Sequence, residues 1–265
     1  MQNAKQFTLG SKKLHLVFLT TVGSQLHKLN LSNSDLDLKG VFVWDRTATA
    51  GLETMNDSLD LKNTEKEEWA DLMSQLNSEF NLKLDSDDDL ELWEAKKFFL
   101  TALKNDFNMF DMLFANETEH KFLADSFKPV LDNKRLFLNM EQAVVRFGGM
   151  ARSALSRAKQ FLKKSEPNDK EKNDFKKSLA KSLQFLFSLD NLLKTQTHNP
   201  VLLEKQRLEV LEVKKGNLSF EEVQHRFDEL EEVLNETKKN HLLMKKVDDR
   251  ETLNTVLSTL VLKES

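Results

Sequence analysis

Glycine and proline are scarce in this chain, with seven and three copies in 265 residues. These two residues are the usual breakers of regular structure, so the chain is suited to long helices joined by few tight turns. Apolar residues recur at helical spacing over 139–164, 171–194, 201–215, 219–241 and 249–262. One of the prolines lies in Glu166-Pro167-Asn168-Asp169, which reads as a helix–helix loop. Strand signals are confined to the first half. LHLVFLT (14–20) reads as a buried strand ending at Gly23-Ser24, and DLDLKGVFVW (35–44) alternates and then turns apolar, as a second strand would. Between them, QLHKLNLSNS leaves room for a short helix and a polar turn. A helix is expected over 64–78, with Thr64 placed to cap it, Glu67 three residues on, and Trp69, Leu72, Met73 and Leu76 sharing a face. DDLELW (88–93) is a candidate third strand that runs into a helix from about Glu94 to Lys104.

The implied class is α+β: a small mixed sheet with flanking helices over residues 1–125, then a helical domain over 126–265. Composition excludes several functions. The 39% hydrophobic and 31% charged content fits a soluble globular protein, and a net charge of −4 names no partner. No apolar run approaches the roughly 20 residues needed to span a bilayer, and no basic N-terminal region leads into an apolar core as in a secretion signal. No membrane partner is therefore expected, and the cytoplasm is the expected compartment. The absence of cysteine removes disulfides, thiolate metal sites and thiol nucleophiles. Walker A, HExxH and GxSxG spacings are missing, and the six histidines stand at no metal-ligand spacing. Charge is uneven. Asp85, Asp87, Asp88, Asp89, Glu91 and Glu94 crowd one short stretch, and residues 152–181 are rich in Lys and Arg. Both can be solvated faces. The sharper reading gives the acids to metal ions and the basic face to a polyanion.

Asp35 and Asp37 are the residues that suggest chemistry. In a strand, residues two apart point to one side, so their carboxylates would stand together with Leu36 facing the core. Adjacent carboxylates repel unless a cation lies between them. Hard oxygen ligands suit Mg²⁺, which takes one or two carboxylates plus substrate phosphates. Lys39 falls on the same face, where it can offset charge or touch a phosphate. Gly23 allows close backbone approach to a phosphate, a helix starting there would aim N–H groups at the anion, and Ser24 adds a hydroxyl. A second pair, Gly10-Ser11, has no aspartates on a strand at the matching distance.

The stretch GSQLHKLNLSNSDLDLKGVFV resembles the signature of predicted nucleotidyltransferases found beside RNA ligases, a family of the DNA polymerase beta superfamily. Ser34, Asp35 and Asp37 match that signature, and Gly40, Val41 and Phe42 follow in register, with Lys39 in place of an arginine. The resemblance continues through Asp89, Trp93, Lys97, Phe98, Leu113 and Phe114. It resumes near Phe147 and Gly148, and closes at Lys214, Gly216 and Ser219. Four of the seven glycines (Gly23, Gly40, Gly148 and Gly216) fall at resembling positions.

The resemblance implies transfer of a nucleoside monophosphate from an NTP, ATP among them, to a hydroxyl of RNA (tRNA-like) or of a protein, with Mg²⁺ or Mn²⁺. Asp35 and Asp37 would be catalytic metal ligands, and Gly23, Ser24 and Lys39 would meet the nucleotide. Polymerase-beta-like enzymes use a third carboxylate on a neighbouring strand. Asp89 matches by position, with Glu91, on the same strand face, as runner-up. Two departures support a second reading, a degenerate homologue that binds a nucleotide or partner without catalysis. Leu26, His27 and Lys28 make the loop after Gly-Ser bulkier than the family's, and a Lys-His-Arg pattern in the helical part reads Lys181, Phe185 and Ser188 here. Neither reading specifies the oligomeric state.

Overall fold

The computed structural model describes all residues except 1, 33, 51–54, 85–88, 164–165, 241–248 and 265, and the backbone alone at 237–240. The described residues form two compact units. One contains the sheet and comprises the chain up to Leu26, Asn30–Phe137 and the C-terminal helix. The other is helical and comprises His27–Leu29 and the chain from Leu138 through its last long helix.

In the first unit, β1 (Lys5–Leu9) and β2 (Lys12–Thr21) form a hairpin in which Leu9 faces Lys12. The two-residue turn is Gly10-Ser11, and Gly10 supplies the positive φ (58°) that such turns require. On its other side β2 pairs antiparallel with β3 (Asp37–Trp44). β6 (His120–Leu123) continues along the β1 side, pairing with the second half of β2. β5 (Asp89–Glu94) lies parallel to β3, and the short β4 (Ser58–Leu59) pairs with β5. The result is a six-stranded mixed sheet ordered β1-β2-β3-β5-β4, with β6 beside β2. The α+β class, the mixed sheet and the C-terminal helices are thus as the sequence implied. Leu16, Val17, Phe18 and Leu19 of β2 are all fully buried, which is why that segment reads as a continuous apolar run rather than an alternating one.

Helices of this unit follow their caps. α1 (Gly23–Leu26) and α2 (Arg46–Thr49) are single turns. α3 (Lys66–Phe80) buries Trp69, Leu72 and Leu76 and stops at Asn81, whose φ of 51° is left-handed. Its N-cap is Glu65, not Thr64: the Thr64 hydroxyl donates to Asn63 Oδ1 at 3.1 Å instead of meeting the helix. α4 (Ala95–Ala102) is capped by the Glu94 side chain, which accepts from the Lys97 N–H at 3.0 Å. Asp106 caps α5 (Phe107–Phe114) in the same way. Residues 126–137, including α6 (Lys128–Asp132), stay with the sheet because their aromatics enter its core. Phe127 stacks on Phe18 at 4.9 Å between centroids, and Phe137 meets Phe99 edge-on at 5.2 Å.

The second unit is built from α7 (Met140–Phe161), α8 (Asp169–Thr195), α9 (Glu204–Lys215) and α10 (Phe220–Asn240). α7, α9 and α10 all pack on α8, so α8 is buried nearly all round from Ser178 to Leu193. Asn168 and Glu171 close a capping box at its start, each backbone N–H donating to the other side chain at 3.0 and 2.9 Å. The loop read at Glu166–Asp169 thus ends in a specific helix start. α11 (Arg250–Glu264) packs on α4 and α6, and the Arg46 guanidinium donates to the Leu262 carbonyl at 3.3 Å. Among the described residues no helix is long and apolar enough to cross a membrane.

Candidate active site

β3 begins at Asp37, β5 begins at Asp89, and the parallel register sets these two aspartates opposite each other. Register partners on neighbouring strands project from the same face. Two positions further along that face Lys39 lies opposite Glu91, and its ammonium donates to the Glu91 carboxylate. The rung between, Leu38 opposite Leu90, is buried from the other face. One face of the β3–β5 ladder therefore carries two facing carboxylates and then an ion pair.

Gly23 adjoins the first of these rungs. Val22 donates its N–H to the Asp37 carbonyl at 2.9 Å, which brings the end of β2 alongside the start of β3. Gly23 has a φ of 63°, a conformation that residues with a Cβ rarely adopt. A Cβ there would stand 2.8 Å from Asp37 Cγ, so the carboxylate occupies the space a side chain would need. Gly40 serves a different contact: a Cβ on it would come within 2.8 Å of the Phe18 carbonyl and 2.7 Å of a Leu92 methyl. Ser24 is half-buried in α1. Ser34 closes the turn ahead of Asp35, its hydroxyl accepting from Leu31 N–H at 2.9 Å and its own N–H donating to the Leu31 carbonyl at 3.0 Å. Gln25 donates its side-chain amide to the Asp35 carbonyl at 3.5 Å, a link between the Gly-Ser turn and the aspartate segment that no sequence signal marks.

One family model, described as the RNA repair pathway DNA polymerase beta family (RlaP), matches residues 3–259. The chain belongs to the RNA repair pathway DNA polymerase beta family. No curated protein and no solved structure matches it. The match takes in residues of both units, and the family is a polymerase beta-like nucleotidyltransferase family.

In this RlaP-family protein four features of the site bear on the sequence reading. Asp35 is exposed and precedes β3, so strand alternation relates Asp37 to Lys39 but not to Asp35, and Leu36 is half-buried rather than in the core. α1 is one turn long, too short for aligned peptide dipoles to accumulate, which leaves the backbone at Gly23 as the close-approach feature. Lys39 offsets charge, one of the two roles expected of it, through its ion pair with Glu91. Among the described residues no three His, Asp or Glu side chains converge to hold a metal ion. The donor chemistry nonetheless fits Mg²⁺: two hard carboxylates at facing positions, with phosphate oxygens left to complete the shell. Of the acidic run, Asp85, Asp87 and Asp88 lie outside the described residues.

The bulky loop is absorbed by packing. Leu26 and His27 are buried, 1% and 5% exposed, and the His27 Nδ1–H donates to the Pro200 carbonyl at 2.7 Å, leaving Lys28 as the exposed side chain. In the helical unit Lys181 is exposed, Phe185 is half-buried and Ser188 is buried. His120, paired with Thr20 near the end of β2, has its pKa lowered chiefly by burial.

Proposed function

We propose that the chain transfers a nucleoside monophosphate from an NTP to a hydroxyl of RNA, using Mg²⁺ or Mn²⁺. The observation that carries this is the Asp37–Asp89 rung beside Gly23, in a chain whose family is described by RNA repair. Asp37 and Asp89, joined by Asp35 from the preceding segment, would hold the cation, which when bound neutralises phosphate charge and positions the reacting oxygens. Gly23 and Ser24 receive the triphosphate. The acceptor hydroxyl oxygen forms its bond to the α-phosphorus as the bond to the bridging oxygen of pyrophosphate breaks. Asp89 would take the hydroxyl proton. Positioning and charge neutralisation carry most of the rate enhancement for such a displacement. Glu91 is set aside as third acid because Lys39 neutralises it.

RNA is favoured over a protein acceptor by the helical unit's basic surface. Arg157, Lys159, Lys163, Lys170, Lys177 and Lys181 are exposed on α7, α8 and their junction. A surface of this kind binds phosphates with an affinity that falls steeply as salt rises. The test is incubation with each labelled NTP, Mg²⁺ or Mn²⁺, and total RNA beside a protein extract. Labelled RNA that disappears with Asp37→Asn supports the proposal, and label only in protein redirects the acceptor. Nucleotide binding without transfer would favour the degenerate homologue, the reading that the departures at Leu26, His27 and Lys28 and at Phe185 and Ser188 support.

A further inference from the structure

The sheet face that carries Asp37 and Lys39 continues past β3. Thr20 of β2 is the register partner of Lys39 on one side and of His120 on the other. Glu91, Lys39, Thr20 and His120 therefore form one rung across β5, β3, β2 and β6, the next same-facing rung after Asp37–Asp89. His120 begins β6, beyond a register shift between Leu19 and Thr20. Its ring meets Phe18 edge-on at 5.0 Å, and Phe18 is fully buried against Phe127. Beside it the buried Thr20 hydroxyl donates to the carbonyl of Glu119 at 3.3 Å.

His120 is a titratable group that the transfer reaction does not use. Its Nε2 is buried and has no hydrogen-bond partner among the described residues. In a neutral imidazole one ring nitrogen accepts, whereas in the cation both donate, so protonation would put a charged N–H where no acceptor stands. Enclosing a charged donor without an acceptor costs more than leaving a neutral acceptor bare. Burial is the largest influence on the ring and lowers its pKa, and Lys134 acts in the same sense. A hydrogen bond to the Ala115 backbone and the charges of Glu117 and Glu119 oppose it. A base whose folded pKa lies below 6.5 binds fewer protons folded than unfolded. Its contribution to stability is full above 6.5 and declines as pH falls through 6.5 towards the folded pKa.

We propose that His120 is a proton-sensitive latch: neutral, it seats β6 on β2 at Thr20, and protonated, its ring leaves Phe18 for solvent and the Thr20 end of this pairing opens. Thr20 lies beside Lys39, and two residues on Val22 donates its N–H to the Asp37 carbonyl. Opening here loosens the strand that borders the candidate site, so transfer declines as the latch is released. That consequence rests on the nucleotidyltransferase reading; the latch is a property of the sheet.

The test uses the full chain as wild type and as His120→Phe, which keeps an aromatic ring and cannot titrate. Amide exchange, corrected for its intrinsic pH dependence, the imidazole resonances of His120 and transfer kinetics are followed from about pH 8 to about pH 5, the range over which histidine changes charge. Below 6.5, exchange at Thr20–Val22 and His120–Leu123 in the wild type accelerates by up to about tenfold per pH unit, the limit for uptake of one proton, while α3 stays protected. In His120→Phe it stays level. The wild-type kcat falls over the same range, and the fall is absent from His120→Phe until the site carboxylates titrate. Level exchange in the wild type, an equal rise in His120→Phe, or a His120 that titrates at or above 6.5 overturns the latch. Faster exchange with level kcat overturns its consequence for transfer. A wild type that transfers no nucleotide defeats the proposed function, and the exchange result still decides the latch. If His120→Phe does not fold, His120→Gln, equally unable to titrate, gives the same readout.

Discussion

At Lys39 and Glu91 the β3–β5 ladder sets a cation opposite an anion; at Asp37 and Asp89, one same-facing rung earlier, it sets two anions opposite each other. The strands, the face and the parallel register are the same. A charge opposite its counter-charge supports a sheet, and like charges directly opposite weaken it. The Lys39–Glu91 rung is solved within the protein. The Asp37–Asp89 rung sets two carboxylates opposite each other, where the Asp37 carboxylate occupies the space that a side chain at Gly23 would need. This difference between a rung of opposite charge and a rung of like charge separates a structural ion pair from a candidate site.

The contrast can be broken most severely at the first rung. Asp37→Asn keeps the side chain's shape and removes its charge, and transfer should fall on the order of 10²–10³-fold with the circular dichroism spectrum unchanged. Asp89→Asn should cost nearly as much and Glu91→Gln far less; equal losses in a steady-state assay would mean that the two rungs do not differ in role. Next in size is ligand linkage. Mg²⁺ with NTP at a hundred times its dissociation constant should stabilise the wild type by about 2.7 kcal/mol, read as a thermal shift reversed by EDTA. A similar shift in Asp37→Asn would detach the cation from this rung.

The second rung predicts a smaller effect, on stability. Lys39→Met leaves the half-buried Glu91 carboxylate without its cation and should destabilise by about 1–2 kcal/mol in urea unfolding. Adding Glu91→Leu should recover most of the loss, since removing both partners of an enclosed pair leaves no stranded charge. No recovery would indicate that Lys39 acts mainly through something other than Glu91.

The smallest effect comes from a carboxylate just past the other end of β3. Asp45 caps α2 and has its pKa lowered from 3.8 to about 2, first by the Thr47 hydroxyl, then by the Thr47 backbone N–H and by His15. A depressed carboxylate pKa favours the folded state above the unfolded value of 3.8, and this contribution is lost as pH falls through about 2. Between pH 4 and pH 2 the melting temperature of Asp45→Asn should therefore fall less steeply than that of the wild type. Parallel curves would show that the cap contributes nothing to acid stability.

Much of the fold was legible because its signals are local. Residues 14–20 and 35–44 carry strand patterns on their own, and α3 and α7–α10 repeat their apolar faces every turn, so they fall within a few residues of where periodicity puts them. β1, β4 and β6 were not legible. β4 has two residues, and β1 and β6 bury too few positions to show a period. The helical period at 249–262 was readable, but not the place where α11 packs: its pattern specifies a face to bury, and α4 and α6 supply the surface. In the site, alternation correctly placed Lys39 on the Asp37 face. It overreached at Asp35 because the strand begins two residues later. Gly10-Ser11 and Gly23-Ser24 look alike as dipeptides. The first turns a hairpin because Lys12 runs straight on into β2. The second lies against an aspartate because the Val22–Asp37 hydrogen bond brings it beside β3.

By itself the sequence determined the strands and helices with strong periods, the shared face of Asp37 and Lys39, and the family resemblance carried by Gly23, Asp35, Asp37 and Gly40. Those depend on periods of two and 3.6 residues, which are properties of a local stretch of backbone. The tertiary structure alone decided that Asp89 rather than Glu91 stands opposite Asp37, and that His27–Leu29 is held by helices far along the chain. Asp89 and Glu91 lie two residues apart and share a face, so a two-residue shift of β5 would preserve its hydrophobic pattern while exchanging which acid faces Asp37. Only the long-range pairing of β3 with β5, together with the Lys39–Glu91 ion pair that fits this one register, distinguishes the two arrangements.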